Sequence, residues 1–275
     1  MSWAGLAGSG VTTGDSPAES RRFGMSVGRV LVGDLTPPDA AAQALTDALD
    51  RAVEDLLVVR WPSAMVGLAG SVAASGRIIL PADVLTYWEV PTDVLADGVL
   101  AGADAFRVES GAEHLDAGRA WVEAVVRSSF AEYGNHYSAN PALDPELALA
   151  GYLEWAVSSF QTHPADALFL LDGSQPIGVA TLSEDRTGGD LEVLLAGLVP
   201  GAQGRGTYAH LLRGVGLEAR ARGLGRVIIS TQAHNVRVQR AWARSGLRPF
   251  AAVTTAHAIR PDSAAAAVVL GQRNR

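Results

Sequence analysis

The sequence predicts an α/β fold (α+β in some schemes), a mixed central sheet flanked by helices and preceded by a smaller, degenerate copy of the same plan. Three observations carry this. An apolar run from Leu191 to Val199, closed by Pro200, leads through the glycine loop Gln203-Gly204-Arg205-Gly206-Thr207 into a helical pattern from Tyr208 to Ala221. A second buried strand, Arg226 to Thr231, is followed by Asn235 and a helix ending at Gly246-Leu247. Finally, a shift of 170 residues lays Val58-Val59 on Ile228-Ile229 and Ser75-Gly76 on Ser245-Gly246, so strand, turn, helix, Ser-Gly and strand occur twice.

Composition narrows the classes. A chain of 275 residues, 48% of them hydrophobic, can bury one large core or two modest ones. The formal net charge of −7 argues against a general nucleic-acid binder. All 22 basic residues are arginine, which excludes a Schiff-base lysine. With no cysteine, thiolate nucleophiles and cysteine-ligated metals are excluded, and the six histidines form no HExxH-like pair. No metal is expected. Residues 1–20 lack the basic start and apolar centre of a signal peptide, and no apolar run approaches the length of a membrane span. The expectation is a cytoplasmic protein with no membrane or nucleic-acid partner, and a homodimer is open.

In order, residues 1–20 read as a flexible tail and 21–103 as the degenerate half. That half holds a strand at Arg29–Gly33, a helix from Pro37-Pro38-Asp39 to Val53 and a strand at Leu56–Val59. A helix over Ala64–Ala74 and strand material at Ile78–Leu80 and Val84–Val90 complete it. A boundary between Asp93 and Asp104 opens the catalytic region, 104–275, with a first strand over Ala105–Val108. Helices follow over Leu115–Ala131 and Pro145–Phe160, separated by the polar and aromatic Asn135-His136-Tyr137, then a hairpin around Asp172-Gly173-Ser174. After the glycine loop and the Asn235 helix, a final strand pair is expected at Leu247–Ile259 and Ala266–Leu270.

A strand, a glycine loop and a helix start direct backbone N–H groups and the positive helix end at one point, which suits phosphate. A Walker loop needs Gly-Lys, and there is no lysine; Gly204 and Gly206 supply only half of a dinucleotide fingerprint. The order Gln-x-x-Gly-x-x after a strand ending Val-Pro, with Asn235, Trp242 and Gly246-Leu247 at the right separation, resembles the GNAT acyl-CoA N-acyltransferases. Asn135-His136-Tyr137, Tyr152-x-x-Trp155 and Arg22-Phe23-Gly24 are further similar to the branch containing dTDP-fucosamine acetyltransferase.

The resemblance implies acetyl-CoA, or another acyl-CoA, as co-substrate and a small-molecule amine as acceptor. It implies pantetheine pairing at Leu198, an oxyanion-stabilising N–H near Ala196, and pyrophosphate on the N–H groups of Gln203, Gly204, Arg205, Gly206, Thr207 and Tyr208. Asn235 and Trp242 belong to the cofactor site on the same ground. Two positions depart from the pattern: Tyr208 stands where Gly or Ala is usual, and Trp242 where relatives place a tyrosine that protonates the leaving thiolate. Indole cannot do that. Glu192 is the first candidate base, sharing a face with Leu194, Ala196 and Leu198 if its strand is regular; the other reading is an exposed strand start. His136 is the second candidate, against a surface-loop histidine, and Tyr137 could supply the missing acid. Alternatives are an O-acyltransferase using another acyl donor and a non-catalytic acyl-CoA-binding or scaffold protein.

Overall fold

The computed structural model describes residues 2–100, 106–131 and 133–271, and these divide into two compact units. The first comprises Trp3–Thr86, Gly134–Ala148 and the chain from Ala251 onward; the second comprises chiefly Tyr87–Tyr133 and Leu149–Phe250. Each has a mixed sheet flanked by helices.

In the first unit α1 (Trp3–Leu6), β1 (Val11–Asp15) and α2 (Pro17–Phe23) precede β2 (Val27–Val32) and α3 (Pro38–Arg51). Then come β3 (Leu56–Pro62), α4 (Leu68–Ala73) and β4 (Ile78–Pro91), whose last residues belong to the second unit. β2 and β3 are parallel, and β1 pairs antiparallel with β2. β3 is buried from end to end, Arg60 included, because both its faces are covered: Leu57, Val59 and Trp61 join one cluster, Leu56 and Val58 another.

The second unit continues with α5 (Thr92–Ala96), β5 (Arg107–Ser110), α6 (Gly118–Phe130), α7 (Pro145–Thr162, begun in the first unit) and the hairpin β6 (Ala167–Asp172) and β7 (Gln175–Asp185). β8 (Asp190–Leu198), α8 (Thr207–Ala221), β9 (Arg226–Gln232), α9 (Val236–Arg244) and β10 (Arg248–Ile259) follow. β5 through β8 are antiparallel neighbours, and β9 runs parallel to β8. β10 carries the chain back to the first unit, pairs antiparallel with β3 and leads to α10 (Ala264–Gly271).

The internal repeat is regular. A shift of 170 residues carries β3 onto β9 end for end, and α3 onto residues 208–221 of α8. It carries the left-handed Gly76 (φ 71°) onto Gly246 (φ 87°), and the first residue of β4 onto the first residue of β10.

Four expectations are corrected. Residues 3–23 are no loose tail: β1 pairs with β2 from Val11↔Val32 to Asp15↔Gly28, and Leu6 is buried. The division falls after Thr86 and not between Asp93 and Asp104, because α5 packs in the second unit, with Thr92 Oγ1 donating to the Leu224 carbonyl at 2.7 Å. Part of the expected boundary, and Ala105 of the expected strand, lie outside the described residues. The second unit also ends before the C-terminus, since β10 and α10 return to the first. The apolar run expected as a last strand is α10, because four successive alanines favour helix and Ser263 caps it, its Oγ accepting from Ala266 N at 3.2 Å. Among the described residues no helix is long and apolar enough to cross a membrane.

Candidate active site

β8 and β9 run in register from Asp190↔Arg226 to Val193↔Ile229, and the pairing stops there although the strands continue to Leu198 and Gln232. The parting coincides with a bulge. Thr181 faces Leu195 and Leu182 faces Val193, so Leu194 is the extra residue, and an extra residue bends a strand and shifts its alternation. The regular strand that would put Glu192 on one face with Leu194, Ala196 and Leu198 is therefore not what forms. Glu192 itself is buried, opposite Ser183 and Ile228, and is no exposed strand start. Its neighbour Asp190 is gripped bidentately by Arg226, at 2.7 and 2.6 Å, and Arg226 also donates to Glu89 at 2.8 Å.

Past β8, a single turn at Pro200–Ala202 delivers the chain to the loop. Gly204 (φ 84°) and Gly206 (φ 78°) are both left-handed, which a side chain resists, and Gly206 caps α8. Among the described residues the backbone N–H groups of Gly204, Arg205, Gly206, Thr207 and Tyr208 have no acceptor. Gln203 differs from the expectation, because its N–H already donates to the Pro200 carbonyl. Its side chain works as a brace: Nε2 donates to the Leu198 carbonyl at 2.9 Å, and Oε1 accepts from Arg237 of α9 at 3.1 Å. Arg205 is exposed.

Asn235 caps α9, accepting from Val238 N at 3.4 Å, while its Nδ2 donates to Thr231 Oγ1 at 3.0 Å. Thr231 Oγ1 lies 3.2 Å from the Tyr133 hydroxyl, which also donates to Gln232 Oε1. Trp242 is 1% exposed and meets Trp88 edge-on at 5.9 Å, a core aromatic in this structure. Its Nε1 donates to the Tyr208 hydroxyl at 3.4 Å. Tyr208 thus finds room by turning onto the apolar cluster that also takes up Ala196 and Val238.

His136 and Tyr137 belong to the first unit. His136 is no surface histidine: it is buried, its Nδ1 3.0 Å from Nε2 of the fully buried His257. Burial first, then the charge of Arg60, hold His136 well below the usual imidazole range and His257 down at about 4. Tyr137 packs on Phe23 and donates to Glu19. Burial alone would raise the Glu19 carboxyl; Arg29, 2.9 Å away, together with Ser16 and Tyr137, outweighs it and holds the group low.

The glycine loop between β8 and α8, and Asn235 before α9, lie where the sequence puts them. The Tyr208–Trp242 bond, the Arg237–Gln203 brace and Tyr133 on Thr231 escape sequence reading, since each joins separate elements. Tyr208 alone gave a signal, as a bulky residue where a small one is usual.

No family model matches the chain, and no curated protein does. Solved structures do. A GCN5-related N-acetyltransferase from Sphaerobacter thermophilus superposes with a TM-score of 0.56 at 14% identity, over 90% of this chain and 76% of that one. This is the GNAT fold. A GCN5-related N-acetyltransferase from Kribbella flavida gives 0.51 at 17% identity over 85% and 81% of the two chains. A tandem GNAT protein from the clavulanic acid biosynthesis pathway gives 0.52 at 15% identity over 86% and 77%. The GNAT fold of that tandem neighbour fits a chain whose plan occurs twice.

Proposed function

We propose that the protein is an acyl-CoA-dependent N-acyltransferase that moves an acetyl or short acyl group to the amine of a small molecule, such as an amino sugar or a specialised metabolite. The observation that carries this is the parting of β8 and β9 after Val193↔Ile229, leading into a loop whose N–H groups from Gly204 to Tyr208 lack acceptors among the described residues. Parted parallel strands leave backbone groups able to pair with an extended, amide-bearing arm, as an added strand does. Pantetheine is such an arm, and a diphosphate at its far end suits the unpaired N–H groups and the start of α8.

In this reading Leu198 and Ala196 face the pantetheine and the thioester. Gly204 to Tyr208 take the pyrophosphate, and Asn235 fixes the start of α9 beside them. The amine attacks the thioester carbon directly in a ternary complex, where alignment supplies much of the rate. Glu192 accepts the proton the amine loses, buried in the strand that reaches the site. His136 and Tyr137, in the first unit, carry no step in this reading.

The test is thermal unfolding with saturating acetyl-CoA, with ATP and NAD as controls, followed by thiol release with a panel of amines. A ligand at 100 times its Kd adds about 2.7 kcal/mol, which shifts Tm by a few degrees. A shift with acetyl-CoA alone, followed by thiol release and a base-stable product, is expected. No shift contradicts the donor assignment, and a base-labile product makes the acceptor an alcohol.

A further inference from the structure

The stretch from Val193 to Pro261 holds ten arginines and a single carboxylate side chain, Glu218, in a chain whose formal net charge is −7. Four of those arginines are met by carboxylates: Arg220 by Asp93 and Asp97, Arg222 by Asp166 and Glu218, Arg226 by Asp190, and Arg260 by Asp55. At the glycine loop and along α9 that neutralisation stops. Arg205, Arg237, Arg240 and Arg244 are exposed, and among the described residues none of them meets a carboxylate. Arg237, Arg240 and Arg244 stand three and four residues apart, so they share one flank of α9, away from the buried Trp242. Arg237 ties this stripe to the loop: its Nη1 donates to Gln203 Oε1 at 3.1 Å, and its Nη2 would lie 3.3 Å from a Cβ on Gly204.

The stripe works against its own helix. Like charges at those spacings repel, and a cation in the first turn opposes the positive helix end. Such a surface suits an anion from outside the chain, and one larger than a single phosphate, because the helix rises about 10 Å from Arg237 to Arg244. Resting on the acyltransferase reading, we propose that the α9 stripe docks an acidic carrier protein, which presents the acyl group on a phosphopantetheine arm in place of CoA. The two donors share that arm and differ at its far end, where one carries a nucleotide and the other a serine phosphodiester on a folded protein. The phosphodiester takes the N–H groups of the loop, and carboxylates around the serine face Arg237, Arg240 and Arg244. The bonds made and broken are the same with either donor. The amine nitrogen forms the C–N bond, the C–S electron pair leaves on the carrier's pantetheine sulfur, and the amine proton goes to the base. Charge pairing of this kind speeds association and weakens as salt is added.

The experiment needs no acceptor. Binding of four probes to the full chain is measured at low and high salt: acetyl-CoA, acetyl-phosphopantetheine, an acidic carrier protein bearing the acetylated arm, and the same carrier without its arm. The expected result is that the acetylated carrier binds about tenfold tighter than acetyl-phosphopantetheine at low salt, and that salt erodes the difference. The double variant Arg240→Glu/Arg244→Glu abolishes that advantage and leaves the Kd of acetyl-CoA within about twofold of wild type. If charge reversal unfolds the protein, Arg240→Gln/Arg244→Gln decides on the same readout. A carrier that binds no tighter than acetyl-phosphopantetheine overturns the proposal. So does a double variant that weakens acetyl-CoA as much as the carrier, since the arginines would then serve the phosphates of CoA. A wild type that binds none of the three arm-bearing probes overturns the acyltransferase reading itself, a distinguishable failure.

Discussion

The two parallel strand pairs start from the same parts and end differently. β2 and β3 stay paired from Val27↔Leu56 to Leu31↔Arg60, almost to the end of β2. β8 and β9 give up their pairing after Val193↔Ile229, leaving five residues of β8 beyond it. The turns that follow differ in the same sense. After β2, the N–H groups of Gly33, Asp34 and Leu35 donate to the carbonyls of Gly10, Leu6 and Gly8. Those acceptors come from the chain's own first residues. After β8, the donors in Gly204 to Tyr208 have no acceptor among the described residues. A strand–turn–helix unit becomes a binding site when its backbone groups are left uncommitted, and a structural one when the chain commits them.

The comparison breaks most visibly at the N-terminal segment. Removing residues 1–10 takes away the buried Leu6 and three carbonyl acceptors, so the first unit should lose about 4 kcal/mol or more in denaturant unfolding. Freed in this way, the turn after β2 should still bind no acetyl-CoA, because its strands remain paired; a second binding site in the truncated protein would contradict that. Gly33→Ala is a smaller version of the same test, since its Cβ would stand 2.3 Å from the Gly8 carbonyl oxygen.

Acid comes next. An unfolded histidine takes up its proton near 6.5, whereas His257 in the fold holds out to about 4. Between those values the unfolded state binds more protons, so stability falls as pH drops through that window and levels off below it. The loss should reach about 3 kcal/mol from this group, with His136 adding in the same direction. His257→Leu should flatten the slope, and an unchanged slope would remove the histidine pair from the account.

Gly206→Ala sharpens the loop side of the comparison. At φ 78° an alanine costs roughly 1–2 kcal/mol of stability, and acetyl-CoA affinity should fall about tenfold as the N–H groups turn away. Smallest is Arg237→Ala, which removes the brace on Gln203 and one exposed charge. About a threefold weaker Kd for acetyl-CoA is expected, with a shallower salt dependence than wild type. Equal salt dependence would mean that Arg237 acts only through Gln203.

Much of this was legible in the sequence where local rules decide the outcome. The glycine loop, the Asn cap and the doubled strand–helix plan all follow from spacing and turn chemistry, and the repeat is registered to the residue at β3 and β9. The failures share a physical cause. Val11–Asp15 looks like tail because it is mostly exposed, and it becomes a strand only through pairing with β2. Ala264–Gly271 is apolar all round, so periodicity cannot separate helix from strand, and alanine propensity is the better guide. The bulge at Leu194 depends on the partner strand. His136 sits in a polar segment, yet a histidine distant in sequence closes over it.

The central claim is that the donors after β8 are available to an acyl-CoA and those after β2 are not. Titrating acetyl-CoA into amide-labelled protein and following backbone N–H resonances tests this residue by residue. The account predicts saturable shifts at Gly204, Arg205, Gly206, Thr207 and Tyr208, with one equivalent bound and Gly33, Asp34 and Leu35 unmoved. Shifts at the turn after β2, or none at the loop after β8, would contradict it.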